Sequence, residues 1–254
     1  MRLIDTYAYA NRLRRFDPAL KVGLTLWVIL LCLTLNRPLV SAATLAWMLA
    51  LGMVWAGLPA RVVLKLLFVE GMFLLLGVLG IIVTAGLEPP VGPTLQIGPL
   101  WLAVSPEAVG TALALVGRSL GCAAALNLLA LTTPLVDLIT LGRRLHVPEL
   151  LLDLMTLTYR FIFTLLECLE RMRLAQEARL GYATPHRALS SAAWIAANLL
   201  TETLRRSRQL QLALECRGWE GRLRVLPGEY VCPRHTGVIA LLVTGTLIAA
   251  WSWR

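Results

Sequence analysis

Five apolar stretches, at about 20–36, 39–57, 62–86, 107–133 and 236–253, constrain this 254-residue chain more than any other feature. Each is roughly 17 to 27 residues long, close to the ~20 that a helix needs to cross a hydrocarbon core ~30 Å thick. In that core every backbone N–H and C=O must be satisfied within the protein, which restricts such segments to helices. The expected fold class is therefore an all-α integral membrane protein with about five transmembrane helices. With 57% of residues hydrophobic, 15% charged and a mean hydropathy of +0.71, the chain is too apolar for a single soluble core. The same numbers exclude a disordered chain. Residues before 20 are polar and amphipathic, with none of the apolar core of a cleavable signal peptide.

The basic residues then set an expected orientation. The net charge is +9, from 24 Lys and Arg less 15 Asp and Glu. Arg2, Arg12, Arg14, Arg15 and Lys21 precede the first span or open it, Arg37 sits in the first turn, and Arg61 and Lys65 follow the second span. The loop at 87–106 carries no Lys or Arg and is rich in Pro and Gly, whereas 134–234 holds 14 Arg. The positive-inside rule places the N-terminus and the 134–234 segment in the cytoplasm and the C-terminus outside. Three domains follow: an N-terminal tail with four spans at 1–133, a cytoplasmic module at 134–234, and a last span at 235–254.

Two features lie within the spans. Glu70 and Arg118 are ionisable groups at membrane depth, where such groups are costly and tend to pair or line a cavity. They form a candidate intramembrane pair, as a gate or, the plainer account, as a structural ion pair or snorkelling side chains. Gly110, Ala114, Gly117, Gly121 and Ala125 repeat at helical spacing, which permits close helix approach in lipid. That face fits a partner subunit or an internal helix contact.

The 134–234 module reads as two long helices. One follows Pro148 and carries an apolar stripe at Ile162, Leu165, Leu166, Leu169 and Met172, ending before Gly181 and Pro185. The other runs about 187–216 and ends at Gly218. Both begin apolar, but Asp153, Arg160 and Glu202 argue against clean membrane crossings. The run Arg205-Arg206-Arg208 reads as a lipid-headgroup or solvated face. The two helix ends resemble each other: Glu177-Ala178-Arg179-Leu180-Gly181-Tyr182 and Glu215-Cys216-Arg217-Gly218-Trp219. Ordinary C-capping, with Gly in the left-handed position, accounts for Arg and Gly at one end. Its repetition favours docking, because a guanidinium fork on a helix tip makes bidentate contacts to carboxylates in a partner groove.

The chain also lacks much. With only Lys21 and Lys65 as lysines, no GxxxxGK[ST] phosphate loop exists, so the chain cannot be its own ATPase. His146, His186 and His235 stand apart, and no HExxH or CxxC occurs, so no metal site is expected. Cys32, Cys122, Cys168, Cys216 and Cys232 have no framework spacing and read as free thiols. A membrane-embedded lipid-modifying enzyme would need acids or His clustered near the inner face, and only Asp137, Asp153 and His146 are scattered there. A conventional ABC permease would show one coupling helix and polar groups at the midplane.

The N-terminal string Asp5-Thr6-Tyr7-Ala8-Tyr9-Ala10-Asn11-Arg12-Leu13-Arg14, with Pro18 and Lys21, the four spans, the helical module and the last span together resemble a known family. It is that of the transmembrane (T) components of energy-coupling-factor (ECF) ABC transporters, and the N-terminal string favours the cobalt branch, CbiQ. The family's hallmark is a pair of Ala-Arg-Gly-type signatures at coupling-helix tips. Here they would be Ala178-Arg179-Leu180 and Cys216-Arg217-Gly218, each departing at one position. The resemblance implies a non-catalytic subunit in a bacterial inner membrane. Its partners would be two ABC ATPase subunits that bind ATP and Mg, a separate substrate-binding (S) subunit that captures cobalt, and membrane lipids, with no nucleic acid and no cofactor of its own. It also implies that closure of the ATPases would draw the two tips together. A T component for nickel or a vitamin would read the same way, because specificity resides in another chain.

Overall fold

The computed structural model describes residues 2–35, 37–86, 94–97, 100–104, 106–219, 230 and 235–252. Most of the Pro- and Gly-rich loop, the link through Pro227, Gly228 and Pro233, Cys232 and Arg254 lie outside the described residues. The chain divides into two compact units, Met1–Pro134 with Glu229–Arg254, and Leu135–Gly228.

The first unit gathers the apolar helices. A short helix α1 (Arg2–Ala10) precedes α2 (Pro18–Thr34), in which Asp17 caps the N-terminus by accepting a bond from the Ala19 N–H and Pro18 takes the first position. Helix α3 (Pro38–Ala50) runs on through a π-helical turn at Leu51–Trp55. Then come α4 (Ala60–Ile82), α5 (Pro106–Thr132) and, later in sequence, α9 (His235–Ser252). Pro38–Trp55 and Val109–Thr132 are long and apolar enough to cross a membrane. Pro18–Thr34 and Thr236–Ser252 are shorter apolar helices. The 23-residue α4 carries Arg61, Lys65 and Glu70.

The architecture is predominantly helical, with one addition to the all-α expectation. The apolar stretch at 62–86 does not stay helical to its end. Strands β1 (Val83–Gly86), β2 (Thr94–Ile97) and β3 (Leu100–Val104) form an antiparallel sheet in the order β1-β3-β2 between α4 and α5. β-branched residues at Val83, Thr84, Thr94, Ile97 and Val104 suit a pleated ladder, and the intervening Pro and Gly would end any helix.

Helix α5 is the hub of this unit, packed on α1, α2, α3 and α4. The small-residue face lets it approach α3. A Cβ placed on Gly121 would lie 3.2 Å from the Ser41 carbonyl oxygen and 3.5 Å from Cys32 Sγ, and one on Gly117 would lie 3.1 Å from Ser41 Oγ. Ser41 Oγ is itself turned back onto the Pro38 carbonyl at 2.9 Å. The face is thus an internal helix contact at Gly117, Gly121 and the fully buried Ala125, whereas Gly110 faces open space. The core around it combines Val28, Val40, Met48, Leu131, Val243 and Leu247.

In the second unit, α6 (Leu135–Arg144) is a helix that the periodicity did not single out. Its Gly142 lets Leu152 pack close, since a Cβ there would lie 2.8 Å from Leu152 Cδ2. Arg143 pairs with Asp153 at 3.3 Å. Helices α7 (Glu149–Ala178) and α8 (Pro185–Glu215) follow as expected. Pro185 opens α8 rather than merely breaking α7: Thr184 caps the helix by accepting from the Arg187 N–H at 3.3 Å. Cys32, Cys122, Cys168 and Cys216 are free thiols.

Gly121→Val should overpack the α3–α5 contact and cost about 1–3 kcal/mol, read as a lower thermal midpoint of the detergent-solubilised chain. Gly110→Ala, which meets nothing within 4 Å, should leave the midpoint unchanged.

Candidate functional site: two matched helix tips

A helix end leaves its last carbonyls without intrahelical partners, and the two tips dispose of theirs in the same way. At the end of α7 the Gly181 N–H reaches back to the Gln176 carbonyl at 2.8 Å and the Leu180 N–H to Glu177 at 3.0 Å. At the end of α8 the Trp219 N–H reaches the Leu214 carbonyl at 3.1 Å and the Gly218 N–H reaches Glu215 at 3.0 Å. Both pairs are the six-to-one and five-to-two bonds of a Schellman motif. In that frame Ala178 and Cys216 are equivalent, Arg179 and Arg217 are equivalent, and the residue after each Arg is left-handed.

Gly does not take that last position at both ends. Gly218 does, at φ 69°, but at the first tip it is Leu180, at φ 55°. A left-handed non-glycine residue costs roughly 1–2 kcal/mol, and the Leu180 side chain is 68% exposed, so burial offsets little of it. Gly181 is needed for a different reason. A Cβ there would lie 2.9 Å from the Gln176 carbonyl oxygen and 2.5 Å from Ser191 Oγ, whose hydroxyl donates to the Gly181 carbonyl at 3.0 Å. The first tip is thereby pinned to the start of α8.

The chemistry presented is also matched. Arg179 and Arg217 are exposed and, among the described residues, make no ion pair or side-chain hydrogen bond. Each stands two residues after a last-turn glutamate held by a side chain one turn earlier. Arg173 Nε donates to Glu177 at 3.0 Å, and Gln211 Nε2 donates to Glu215 at 3.0 Å. An acid beside the last carbonyls opposes the helix dipole, and the side-chain partner one turn earlier offsets that cost at each tip. Tyr182 and Trp219 lie exposed beside the arginines. Each tip therefore offers an uncommitted guanidinium, a carboxylate and a ring on a rigid backbone.

The tips lie at opposite ends of α8. From Ser191, which holds the first, to Cys216 at the second is 25 residues, or roughly 38 Å along a helix that rises about 1.5 Å per residue. One continuous helix between them is a spacer, so the tips cannot be drawn together without bending it.

The other sequence candidates resolve differently. Glu70 takes its partner from Asn127 rather than Arg118: Asn127 Nδ2 donates to both carboxylate oxygens at 2.9 Å, joining α4 to α5. Asn127 is the one side-chain amide in the apolar run 107–133, and that isolation was the signal available in the sequence. Arg205 and Arg206 both bond Glu202, at 2.9 and 2.6 Å, so much of the expected basic face is spent within α8. Those bonds, from Arg206 and then Arg205, hold the Glu202 carboxyl below its ordinary range. Among the described residues no three His, Cys, Asp or Glu gather as a metal site would require.

The remaining signal concerns the N-terminal string. Asn11 Nδ2 donates to the Leu131 and Thr132 carbonyls at 3.2 and 3.3 Å, and Lys21 Nζ donates to Thr132 at 3.1 Å. Two side chains more than 100 residues away in sequence thus cap the C-terminus of α5.

Compared with known proteins, residues 10–226 match the family CbiQ, described as cobalt transport protein. The cobalt transport protein CbiQ of Rhodobacter capsulatus is 40% identical over 156 residues, which are 61% of this chain and 64% of that one, so the match spans just under two thirds of that relative. CbiQ of Salmonella typhimurium is 29% identical over 231 residues, 86% of this chain and 97% of that one. A protein of Methanocorpusculum labreanum described as a fused cobalt transport protein, CbiMQ, is 24% identical over 243 residues, 95% of this chain and 40% of its own.

Leu180→Gly should relieve the left-handed strain and, after the extra backbone entropy of glycine, stabilise the chain by up to about 1 kcal/mol, seen as a small rise in thermal midpoint. Asn127→Ala should leave the Glu70 carboxylate without its described donor and cost about 1–3 kcal/mol. An unchanged midpoint would show that the bond contributes nothing. The ion-pair support of α8 should be fully present above the ordinary glutamate pKa of 4.5 and be lost only as pH falls below it through the lowered value. A pH titration of helicity checks this, with Glu202→Gln abolishing the step.

Proposed function

The chain belongs to the CbiQ family of cobalt transport proteins, and we propose that it serves as the transmembrane coupling subunit of an ECF-type ABC importer for cobalt ions. As a transporter component it does no catalysis; ATP and Mg are bound and hydrolysed by partner subunits. The observation that carries this reading is the matched pair of tips: one backbone motif, used twice, presenting Arg179 and Arg217 at equivalent positions at the C-terminal ends of α7 and α8. A dimer of ABC ATPases offers two equivalent grooves, and two equivalent plugs on a fixed spacer suit it. Ala178-Arg179 and Cys216-Arg217-Gly218 are the docking elements, each Arg bonding carboxylates in its groove with the bidentate geometry of a guanidinium.

In this mechanism the ATPase subunits close on ATP and reorient α8 as a rod, because both of its ends are held. Helix α7, which contacts it, shares the motion. This is a rigid-body switch. The membrane unit receives the motion and passes it to a separate substrate-binding subunit that captures the metal. The name of the fused CbiMQ relative supports such a neighbour, joining two transport components in one chain. The subunit resides in a bacterial inner membrane with its N-terminus and the α6–α8 unit in the cytoplasm, in keeping with the arginine distribution.

Arg179→Ala with Arg217→Ala should abolish ATPase co-purification and cobalt uptake while the helicity and thermal midpoint of the purified chain stay at wild-type values. A double variant that retains both the ATPase and uptake would remove the docking assignment.

A further inference from the structure

Beneath the N-terminal string, at the end of the membrane unit that carries Arg12, Arg14, Arg15 and Lys21, lies an open-sided cavity of about 320 Å³ walled by α2, the π-helical turn, α5 and α9. Its lining is almost wholly apolar and includes Phe16, Trp27 and Trp55, with Lys21 as its one cation among the described residues. The volume falls in the ordinary range of small-ligand sites, roughly 300–1,000 Å³. Two glycines on different helices keep it open. Gly23 of α2 and Gly237 of α9 both line it, and a Cβ on either meets nothing within 4 Å. Neither has a positive φ that would demand glycine. Close helix packing does not require them either, in contrast to Gly121.

The chain segment that supplies part of the apolar wall also carries charge. Leu13 and Phe16 line the cavity, and the residues between and beside them, Arg12, Arg14 and Arg15, are exposed. Arg14 lies over the Tyr9 ring at 5.0 Å, and among the described residues Arg15 has no ion pair. An open-sided apolar cavity whose lining residues Leu13 and Phe16 alternate with exposed arginines is complementary to a molecule with a hydrocarbon chain and a negative head. Bilayers contain such a molecule, and cations at the surface attract it.

We propose that this cavity binds an acyl chain of an anionic phospholipid, with the phosphate held at the Arg12–Arg15 segment. The bound lipid sits against Lys21 and Thr132, both of which line the cavity, and so against the cap on the end of α5. It makes the N-terminal string a lipid-reading element as well as a cap. The site is independent of ATPase docking and stands or falls without it.

The test is native mass spectrometry of the full chain taken from nanodiscs of equal phosphatidylglycerol and phosphatidylcholine. The wild type should retain one phosphatidylglycerol in preference to phosphatidylcholine. Gly23→Leu and Gly237→Leu, which fill the slot from different helices, should each lower retention about tenfold or more, as excluding some two methylenes would. Arg15→Gln should lower it about fivefold, the effect of one surface cation. Thermal midpoints of the variants show that each is folded. Retention of neither lipid, equal retention of both, or undiminished retention in both filled variants would overturn the proposal. So would filled variants that keep the lipid but lose a membrane-protein partner, since a partner helix would then be the occupant.

Discussion

The unsatisfied carbonyls at helix C-termini govern this molecule more than any single side-chain contact. Water is absent from a bilayer core, and a long helix ending near it must find donors from elsewhere in the chain. The hub helix α5 ends on donors from Asn11 and Lys21, so the first residues of the chain complete a helix that finishes after residue 130. The two long helices of the other unit end on their own backbone instead, each by a Schellman closure. A side-chain cap ties elements together, whereas a backbone closure leaves a self-contained tip free to meet something else.

The tips inherit rigidity from that closure. Six-to-one and five-to-two bonds fix the residue after each arginine in the left-handed region whatever its identity, and at Leu180 the chain tolerates the strain rather than give up the geometry. The departure of the first signature from the family's Ala-Arg-Gly pattern is thus a change of residue without a change of backbone. With Ser191 holding one tip and the body of α8 leading to the other, the pair behaves as two ends of a strut. A stiff helix resists shortening, so its rise fixes the spacing of its two ends.

Much of this was legible in the residues, and the misses have physical causes. Hydropathy located every apolar helix, because lipid makes length and polarity decisive. The paired signatures were visible because short local motifs depend on neighbours in sequence. The β1–β3 sheet escaped because an apolar run reads the same as helix or strand at its end, and only the pairing partners, Val83 with Val104 and Ile97 with Leu100, decide it. The Asn127 donor to Glu70 escaped because charge complementarity is visible in a sequence and a neutral amide is easily passed over. The role of Asn11 as a cap could not be read at all, since its acceptors lie more than 100 positions away. Likewise only the backbone separates Leu180, the left-handed residue, from Gly181, the crowded one.

The central claim is that the tips form a fixed pair on one rod. The distance between spin labels at Tyr182→Cys and Trp219→Cys, in the chain with its other cysteines replaced and assembled with its ATPases, tests it most directly. The account predicts a separation of roughly 40 Å, set by the rise of α8, that is the same with ATP trapped and with no nucleotide. A separation that shortens by a helical turn or more when ATP is trapped would contradict it.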